Sequence, residues 1–349
     1  MDTYAHATMT HQAVPAGTGE EIDWREWWNQ KQRTLLKDGC QKLREPGGLG
    51  TYFSLFSHLD RLSCANTVLV LAQRPGATEL KTSYQWQKAG GSVSPEAQPV
   101  YVSEPVRDPL SGEVGFQSRK FFDRSDVRGL SDKEEKADPA RDVLRWLSAG
   151  NQCGLQILES YPEDNGRGEV MPGAYYHAPD NTLYVRAGMT VEELTASLFF
   201  ARGQKELYLS DKEGYDPELQ MVEAKAIGYG LCQKFGLDGE KLKTDKVPEF
   251  FLGANDTAVR YKLAKMGEAY KRIAGQVLSE REKDLGKEKD LGKEKETGKE
   301  PEPRAEQSRE SKEEKREDRD SKEKSEPAPK RARKKKEPIE AEPEREEER

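Results

Sequence analysis

Aromatic and basic side chains occur together between residues 52 and 120, where they could bind unpaired bases and phosphates. Aromatic rings stack on the faces of single-stranded bases, and cations beside them follow the sugar-phosphate backbone. The residues of these types that could act together are Tyr52, Phe56, Arg74, Lys81, Tyr84, Trp86, Lys88, Arg119 and Lys120. Their chemistry predicts a candidate surface for single-stranded nucleic acid.

The spacing of the rings also fits a structural role. Tyr52 and Phe56 lie four residues apart on a predicted helix, which is the spacing of core side chains. Tyr84 and Trp86 alternate on a predicted strand, so both should lie on one face and be either buried or exposed together. Four basic and four acidic residues balance one another from residue 84 to residue 120, so charge does not decide between these roles.

Charged residues are concentrated at the end of the 349-residue chain. Residues 281–349 contain 23 basic and 24 acidic residues and no aromatic residue, so they cannot bury enough apolar surface to offset the entropy of ordering. The first 280 residues carry 34 basic and 40 acidic residues. This acidic balance argues against tight non-specific DNA binding but leaves room for a local basic groove.

A basic block lies near the end of this charged segment. Its residues are Lys330, Arg331, Arg333, Lys334, Lys335 and Lys336. Such a block can contact phosphates or, in a eukaryote, act as a nuclear address, whereas the acidic residues on both sides favour a solvated charge run. A hexad repeat over residues 283–300 carries glycine and lacks apolar heptad positions, so it does not predict a coiled coil.

The elements that would position these residues are helices followed by short strands, in two successive groups. Three helices precede short strands in the first group; in the second, a hairpin around Asp180 precedes helices at 191–208, 217–235 and 256 to about 283. The predicted fold class is α+β: two small α+β domains followed by a long disordered charged tail. The predicted segments are a disordered N-terminus (1–21), a first domain (22–130), a linker and short helix (131–149), a second domain (150–280) and the tail (281–349).

Neither the cysteines nor the apolar runs indicate a metal knuckle, a disulfide framework or a membrane segment. The longest apolar run, residues 68–72, is far too short to span a bilayer, and the N-terminus lacks the regions of a signal peptide. The cysteines are far apart in sequence and form no Cys-x-x-Cys pair: Cys40, Cys64, Cys153 and Cys232. We therefore expect a cytoplasmic protein with reduced thiols, no cofactor and no membrane partner.

Residues 52–93, YFSLFSHLDRLSCANTVLVLAQRPGATELKTSYQWQKAGGSV, resemble the N-terminal single-stranded-DNA-binding domain of ArdC-type antirestriction proteins. Plasmids and conjugative elements carry such proteins. The resemblance rests on an Asn-containing apolar helix, an Ala-Gln-x-Pro-x-Ala-Thr turn and a Trp-bearing segment, and it continues in residues 103–127. Residues 92–99, SVSPEAQP, replace the Lys-rich loop of the family, which weakens the implied DNA binding or moves it to the basic block.

The second half resembles the zinc-metallopeptidase domain of the same proteins. Residues 189–204 line up with the segment that leads into a His-Glu-x-x-His helix, and residues 222–238 with a downstream helix. On such a helix two histidines one turn apart bind zinc, and the glutamate activates water. Under this alignment Phe200, Ala201 and Gln204 replace the three functional residues.

Zinc chemistry is not expected at these positions, because the remaining ligand candidates are few. Under the same alignment Glu223 occupies the position of a downstream acidic ligand, and one carboxylate cannot hold zinc alone. The chain has four histidines, His6, His11, His58 and His177, and three of them lie outside the predicted second domain. The resemblance therefore implies a pseudoenzyme without a bound metal.

The implied function is that of a single-stranded-DNA-binding, antirestriction-like accessory protein of a plasmid or conjugative element. Its metallopeptidase-like domain would be catalytically dead. Single-stranded DNA is the implied partner, and other proteins of the mobile element or host are further candidates. The alternative is a protein-interaction scaffold without DNA binding.

Overall fold

The computed structural model describes residues 23–107, 112, 114–130, 139–162 and 170–297, with side chains described up to residue 286. The helices in these ranges are α1 (Trp24–Leu43), α2 (Gly48–His58), α3 (Cys64–Gln73), α4 (Ser83–Lys88), α5 (Ala140–Ala149), α6 (Val191–Ser210), α7 (Met221–Phe235), α8 (Glu249–Gly253) and α9 (Asp256–Thr297). The strands are β1 (Leu80–Lys81), β2 (Ser92–Val93), β3 (Val100–Arg107), β4 (Val114–Asp123), β5 (Val127–Arg128), β6 (Gly154–Leu158), β7 (Ala174–His177) and β8 (Thr182–Arg186). This mixture confirms the predicted α+β class.

Several predicted features lie outside the described residues. They are the N-terminal segment 1–21, most of the charged linker before α5, and residues 298–349 with the basic block. None of the helices within the described ranges combines the length and the apolar composition that a membrane span needs.

The first sheet has the strand order β1–β4–β3, and α3 closes its β3 edge. The Asn66 amide donates to the Ser103 carbonyl and accepts from the Ser103 N–H, both at 2.9 Å. Gln73 makes the same pair with the backbone of Tyr101, at 2.8 and 2.9 Å. These bonds satisfy backbone groups that an edge strand otherwise exposes.

The Ala-Gln-x-Pro-x-Ala-Thr turn is held against the end of β4. The buried Asp123 carboxylate accepts hydrogen bonds from the backbone N–H groups of Thr78 (2.7 Å) and Glu79 (3.2 Å). The Arg74 guanidinium pairs with both carboxylate oxygens of Asp126. The turn that follows α3 and the segment that ends β4 are therefore held together by these hydrogen bonds and this ion pair.

The second sheet has the order β6–β8–β7 and contains the predicted hairpin. β7 and β8 are antiparallel, whereas β6 runs parallel to β8. The hairpin turn ends at Asn181, whose φ of 52° lies in the left-handed region that asparagine tolerates. The hairpin prediction is confirmed.

Helix α6 is the central helix of the second half. Its N-terminus carries a capping box in which Thr190 and Glu193 bond each other's backbone N–H groups. Every residue from 195 to 207 is buried. Helix α7 approaches closely at Gly228, where a Cβ would lie 3.0 Å from the backbone nitrogen of Phe200.

One cluster of buried side chains joins the two predicted domains. Phe53 and Phe56 of α2 pack against Tyr270 of α9, with ring centroids 6.1 and 5.2 Å apart. Helix α2 also meets α7, where a Cβ at Gly230 would lie 3.0 Å from the Phe53 carbonyl oxygen. The core is therefore continuous across the predicted boundary at residues 131–149.

The prediction of a strand around Trp86 is wrong, because residues 83–88 form α4. Thr82 and Gln85 make a capping box: the Thr82 hydroxyl accepts from the Gln85 N–H at 3.2 Å, and Gln85 Oε1 accepts from the Thr82 N–H at 2.9 Å. This local hydrogen bonding outweighs the strand preference of the aromatic residues.

Helix α9 continues to Thr297, so the predicted start of the disordered tail at residue 281 is also wrong. The extension is anchored at Asp284, which accepts a hydrogen bond from Trp146 Nε1 at 3.2 Å and pairs with Arg145. Lys, Glu and Leu in the repeat are good helix formers, which offsets the glycines.

Candidate nucleic-acid interface

The rings predicted to stack on bases do not form a shared surface. Tyr52 and Phe56 of α2 are fully buried: their rings stack with centroids 5.8 Å apart, and Phe56 also packs against Tyr270 of α9. Trp86 is 1% exposed, and its Nε1 donates to the Phe122 carbonyl at 2.8 Å. Tyr84 is 71% exposed, because residues two apart on a helix point to different sides. The expectation that Tyr84 and Trp86 share one environment is therefore wrong.

Most of the predicted cations are neutralised by carboxylates. Besides the Arg74 pair with Asp126, Lys81 lies 2.5 Å from Glu79, and Arg119 lies 2.6 Å from Glu104. Lys88 is exposed on α4, one turn after Tyr84. Of the predicted cations, Lys120 is the one that lies over an aromatic ring, that of Tyr101, without a salt bridge in the described part of the chain.

Lys120 belongs to a group of residues from α1, β3 and β4 that we name the aromatic–lysine cluster. Asp23 caps α1 by accepting from the Arg25 N–H at 2.8 Å, so the helix begins at Trp24. The three- and four-residue spacings on α1 place its members along one side of the helix. The pairing of β3 with β4 sets Tyr101 opposite Lys120. The cluster consists of Trp24, Trp27, Lys31, Tyr101 and Lys120.

The rings and cations of the aromatic–lysine cluster contact one another. Trp27 meets Trp24 edge to face at 5.6 Å and Tyr101 edge to face at 5.9 Å. Lys31 Nζ lies 4.0 Å from the Tyr101 centroid and 4.8 Å from the Trp27 centroid, and Lys120 Nζ lies 5.8 Å from the Tyr101 centroid. These distances are within the range of cation–π contacts. Trp24 is 48% exposed.

The electrostatics of the cluster favour an anion. Neither lysine forms a salt bridge within the residues that the structure describes. Burial lowers the pKa of Lys31, and the positive charge of Lys120 lowers that pKa further. Burial also raises the pKa of the Tyr101 hydroxyl. A phosphate placed between the two ammonium groups would relieve their repulsion.

Reasoning from the sequence missed four of the five residues in the aromatic–lysine cluster. A signal was present in WREWW, residues 24–28, which holds three of the five tryptophans of the chain. Of these, Trp28 is buried in the structure, whereas Trp24 is not. Several tryptophans within two helical turns are more than one buried face requires, so some of them must lie near the surface.

The positions aligned with zinc ligands form packed structure on α6. Phe200 and Ala201 are completely buried. Gln204 is also buried, and its Oε1 accepts a hydrogen bond from the Tyr176 N–H of β7 at 2.9 Å. This amide therefore fastens the helix to the edge of the second sheet.

Glu223 on α7 faces Lys262 on α9. Its Oε1 lies 3.9 Å from Lys262 Nζ on α9, and its Oε2 is buried without a hydrogen-bond partner. Burial raises the pKa of this carboxyl to about 7, although Lys262 opposes the change. His177 pairs with Asp180 at 3.1 Å on the hairpin. Across the described residues, no three His, Cys, Asp or Glu side chains are grouped as a metal site requires.

Two further polar residues of α6, Arg202 and Glu206, bind α9. Glu206 forms a 2.7 Å ion pair with Arg272, and one guanidinium nitrogen of Arg202 donates to Gln276 Oε1 at 2.5 Å. The other two guanidinium nitrogens of Arg202 are buried without partners. These polar side chains of α6 therefore bind α9 and are not available as a catalytic site.

Comparison with known proteins gives no matching family model and no matching curated protein. Two solved structures of the ArdC antirestriction protein from the R388 plasmid are similar to this chain. The metal-free structure is 14% identical, with 62% of this chain and 86% of that chain covered and a TM-score of 0.38. The Mn(II)-bound structure is 14% identical, with 63% and 84% covered and a TM-score of 0.39. Similarity at this level assigns neither a function nor a site.

Proposed function

We propose that the chain binds single-stranded DNA through the aromatic–lysine cluster. The observation that supports this proposal is the presence of two lysines without carboxylate partners around contacting aromatic rings. Lys31 and Lys120 supply charge for the backbone, and Trp24 supplies an exposed ring for a base. The predicted cations Arg74, Lys81 and Arg119 play structural roles in this account.

The proposal extends to an antirestriction-like accessory role in a plasmid or conjugative element, with a second half that performs no chemistry. The motifs in residues 52–93 and 189–204 support the first part. The packed side chains of Phe200, Ala201 and Gln204 support the second. In this proposal Glu223 lies against Lys262 of α9 and binds no zinc.

The exposed ring gives the sharpest test of the site. Substitution Trp24→Ala should weaken the binding of a labelled single-stranded oligonucleotide about 5- to 150-fold, equivalent to ~1–3 kcal/mol of base stacking. Tyr84→Ala is the matched control, because it removes an exposed ring outside the cluster. Fluorescence anisotropy at fixed salt measures both variants against the unsubstituted protein.

Equal affinity of Trp24→Ala and the unsubstituted protein would place the binding surface elsewhere. The basic block is then tested by a truncation after Thr297. A cut at residue 281 would be ambiguous, because it also removes Asp284, which binds Trp146. If the truncated protein loses all affinity, the cluster is not the site.

A further inference from the structure

Strand β6 is an edge strand with apolar side chains in solvent. Leu155 is 56% exposed and Ile157 is 64% exposed. Their register partners on β8 are Leu183 and Val185, which are buried. The helix-facing side of this sheet is therefore covered at β8 but open at β6.

The hydrogen bonds of β6 show which backbone groups face outward. The Gly154 N–H donates to the Asn181 carbonyl at 3.0 Å, and the Leu158 carbonyl accepts from the Ala187 N–H at 2.9 Å. Because the bonding direction alternates along a strand, residues 154, 156 and 158 point their backbone groups at β8. The N–H and C=O groups of Leu155 and Ile157 consequently point to the outer edge.

Among the residues that the structure describes, this edge lacks the usual protection against pairing with another strand. Natural edge strands carry charged residues, proline or bulges that prevent such pairing. Residues 150–158, GNQCGLQIL, contain neither charge nor proline, in a chain of which 35% is charged. By contrast, Asn66 and Gln73 close the β3 edge of the first sheet with their amides.

We propose that β6 pairs with β6 of a second copy of this chain, so that two three-stranded sheets become one. A two-fold axis at Gln156 makes the strands antiparallel and sets Leu155 of each copy opposite Ile157 of the other. These two residues carry the outward backbone groups, so the pairing forms four hydrogen bonds between the copies. Gln156 faces its own counterpart on the opposite side of the sheet.

The chemistry of the strand favours a second copy over a charged partner. Apolar residues meet apolar residues across the axis, and the absence of charge in residues 150–158 removes like-charge repulsion between identical strands. Five residues from each copy are fewer than the roughly 20–30 per side of a standard stable interface. The dimer is therefore weak and forms as the protein concentration rises.

Sedimentation velocity across a concentration series of the full chain tests this dimer. The unsubstituted protein should shift from monomer toward dimer, and Ile157→Lys should remain monomeric because it places a charge from each copy at the interface. Phe116→Lys, at an exposed apolar site on β4, is the matched control and should dimerise normally. A monomer at every concentration, or an Ile157→Lys protein that still dimerises, overturns the proposal.

Disulfide trapping gives a second measurement that does not depend on the lysine variant. Paired Gln156 residues occupy a non-hydrogen-bonded position, where Cα atoms about 4.5 Å apart permit a disulfide. In a Cys153→Ser background, Gln156→Cys should form covalent dimers under mild oxidation far faster than Gln87→Cys on α4. Equal rates for the two variants would show that β6 does not pair with β6 of a second copy and would overturn the proposal. The exposed edge would then be a site for a strand of another protein.

Discussion

Asn66 and Gln73 show how the residues of a sequence motif can serve the fold. Both lie in the motif on which the resemblance in the first half rests, and each side-chain amide pairs with one residue of β3. Arg74, from the same motif, pairs with Asp126. The motif is visible in the sequence, but its partners 28 to 52 residues away are not.

Asn66→Ala should lower the free energy of unfolding. It leaves the Ser103 N–H and C=O without partners, and each buried unsatisfied group costs roughly 1–3 kcal/mol. Asn29→Ala, at an exposed position on α1, is the control and should change stability by less than about 0.5 kcal/mol. Urea denaturation measures both variants, and equal midpoints would show that the amide is dispensable.

Glu223 should make stability depend on pH. Its pKa of about 7 in the folded protein lies above the ordinary value of 4.5, so the folded protein holds this proton more tightly than the unfolded chain. The free energy of unfolding should therefore fall as the pH rises from 4.5 to 7, by roughly 3 kcal/mol in full.

Glu223→Gln removes this ionisation while keeping the shape of the side chain. Its stability should resemble that of the unsubstituted protein near pH 5 and exceed it near pH 8. Parallel pH profiles from urea denaturation of the two proteins would contradict the raised pKa.

At the scale of elements, helix α4 buries the ring of Trp86 and exposes the ring of Tyr84, whereas a strand would place both rings on one face. Trp86→Ala should cost about 3–5 kcal/mol, because it empties a buried site. Tyr84→Ala should stay within about 0.5 kcal/mol, because its ring is in solvent. Thermal or urea denaturation measures the loss of stability in both variants. Similar losses for the two would instead fit a strand, in which both rings share one environment.

Elements with a clear apolar period or a marked turn could be predicted from the sequence, and α4, which shows neither, could not. Helices α3 and α6 and the β7–β8 hairpin follow from apolar spacing and turn residues. Helix α4 has six residues, too few to show a helical period, and its capping box was the available sign. The aromatic–lysine cluster depends on packing α1 beside β3 and β4, which spacing along one element does not reveal.

At the scale of the whole molecule, the two groups of elements recognised in the sequence share one core. Helix α2 contributes Phe53 and Phe56 to contacts with α9. Composition and local pattern place a linker between the groups, but they contain no information on contacts more than 200 residues apart. This packing also explains why Tyr52 and Phe56 are unavailable to a ligand.

The central claim is that Lys31 and Lys120 bind the phosphates of single-stranded DNA. The most direct measurement is the salt dependence of affinity for the double variant Lys31→Ala/Lys120→Ala. Because each phosphate contact contributes about 0.7 to the log–log slope for single strands, this variant should lower the slope by about 1.4. Arg119→Ala, which removes a cation paired with Glu104, should leave the slope unchanged. A slope that is the same in the double variant and the unsubstituted protein would contradict the account.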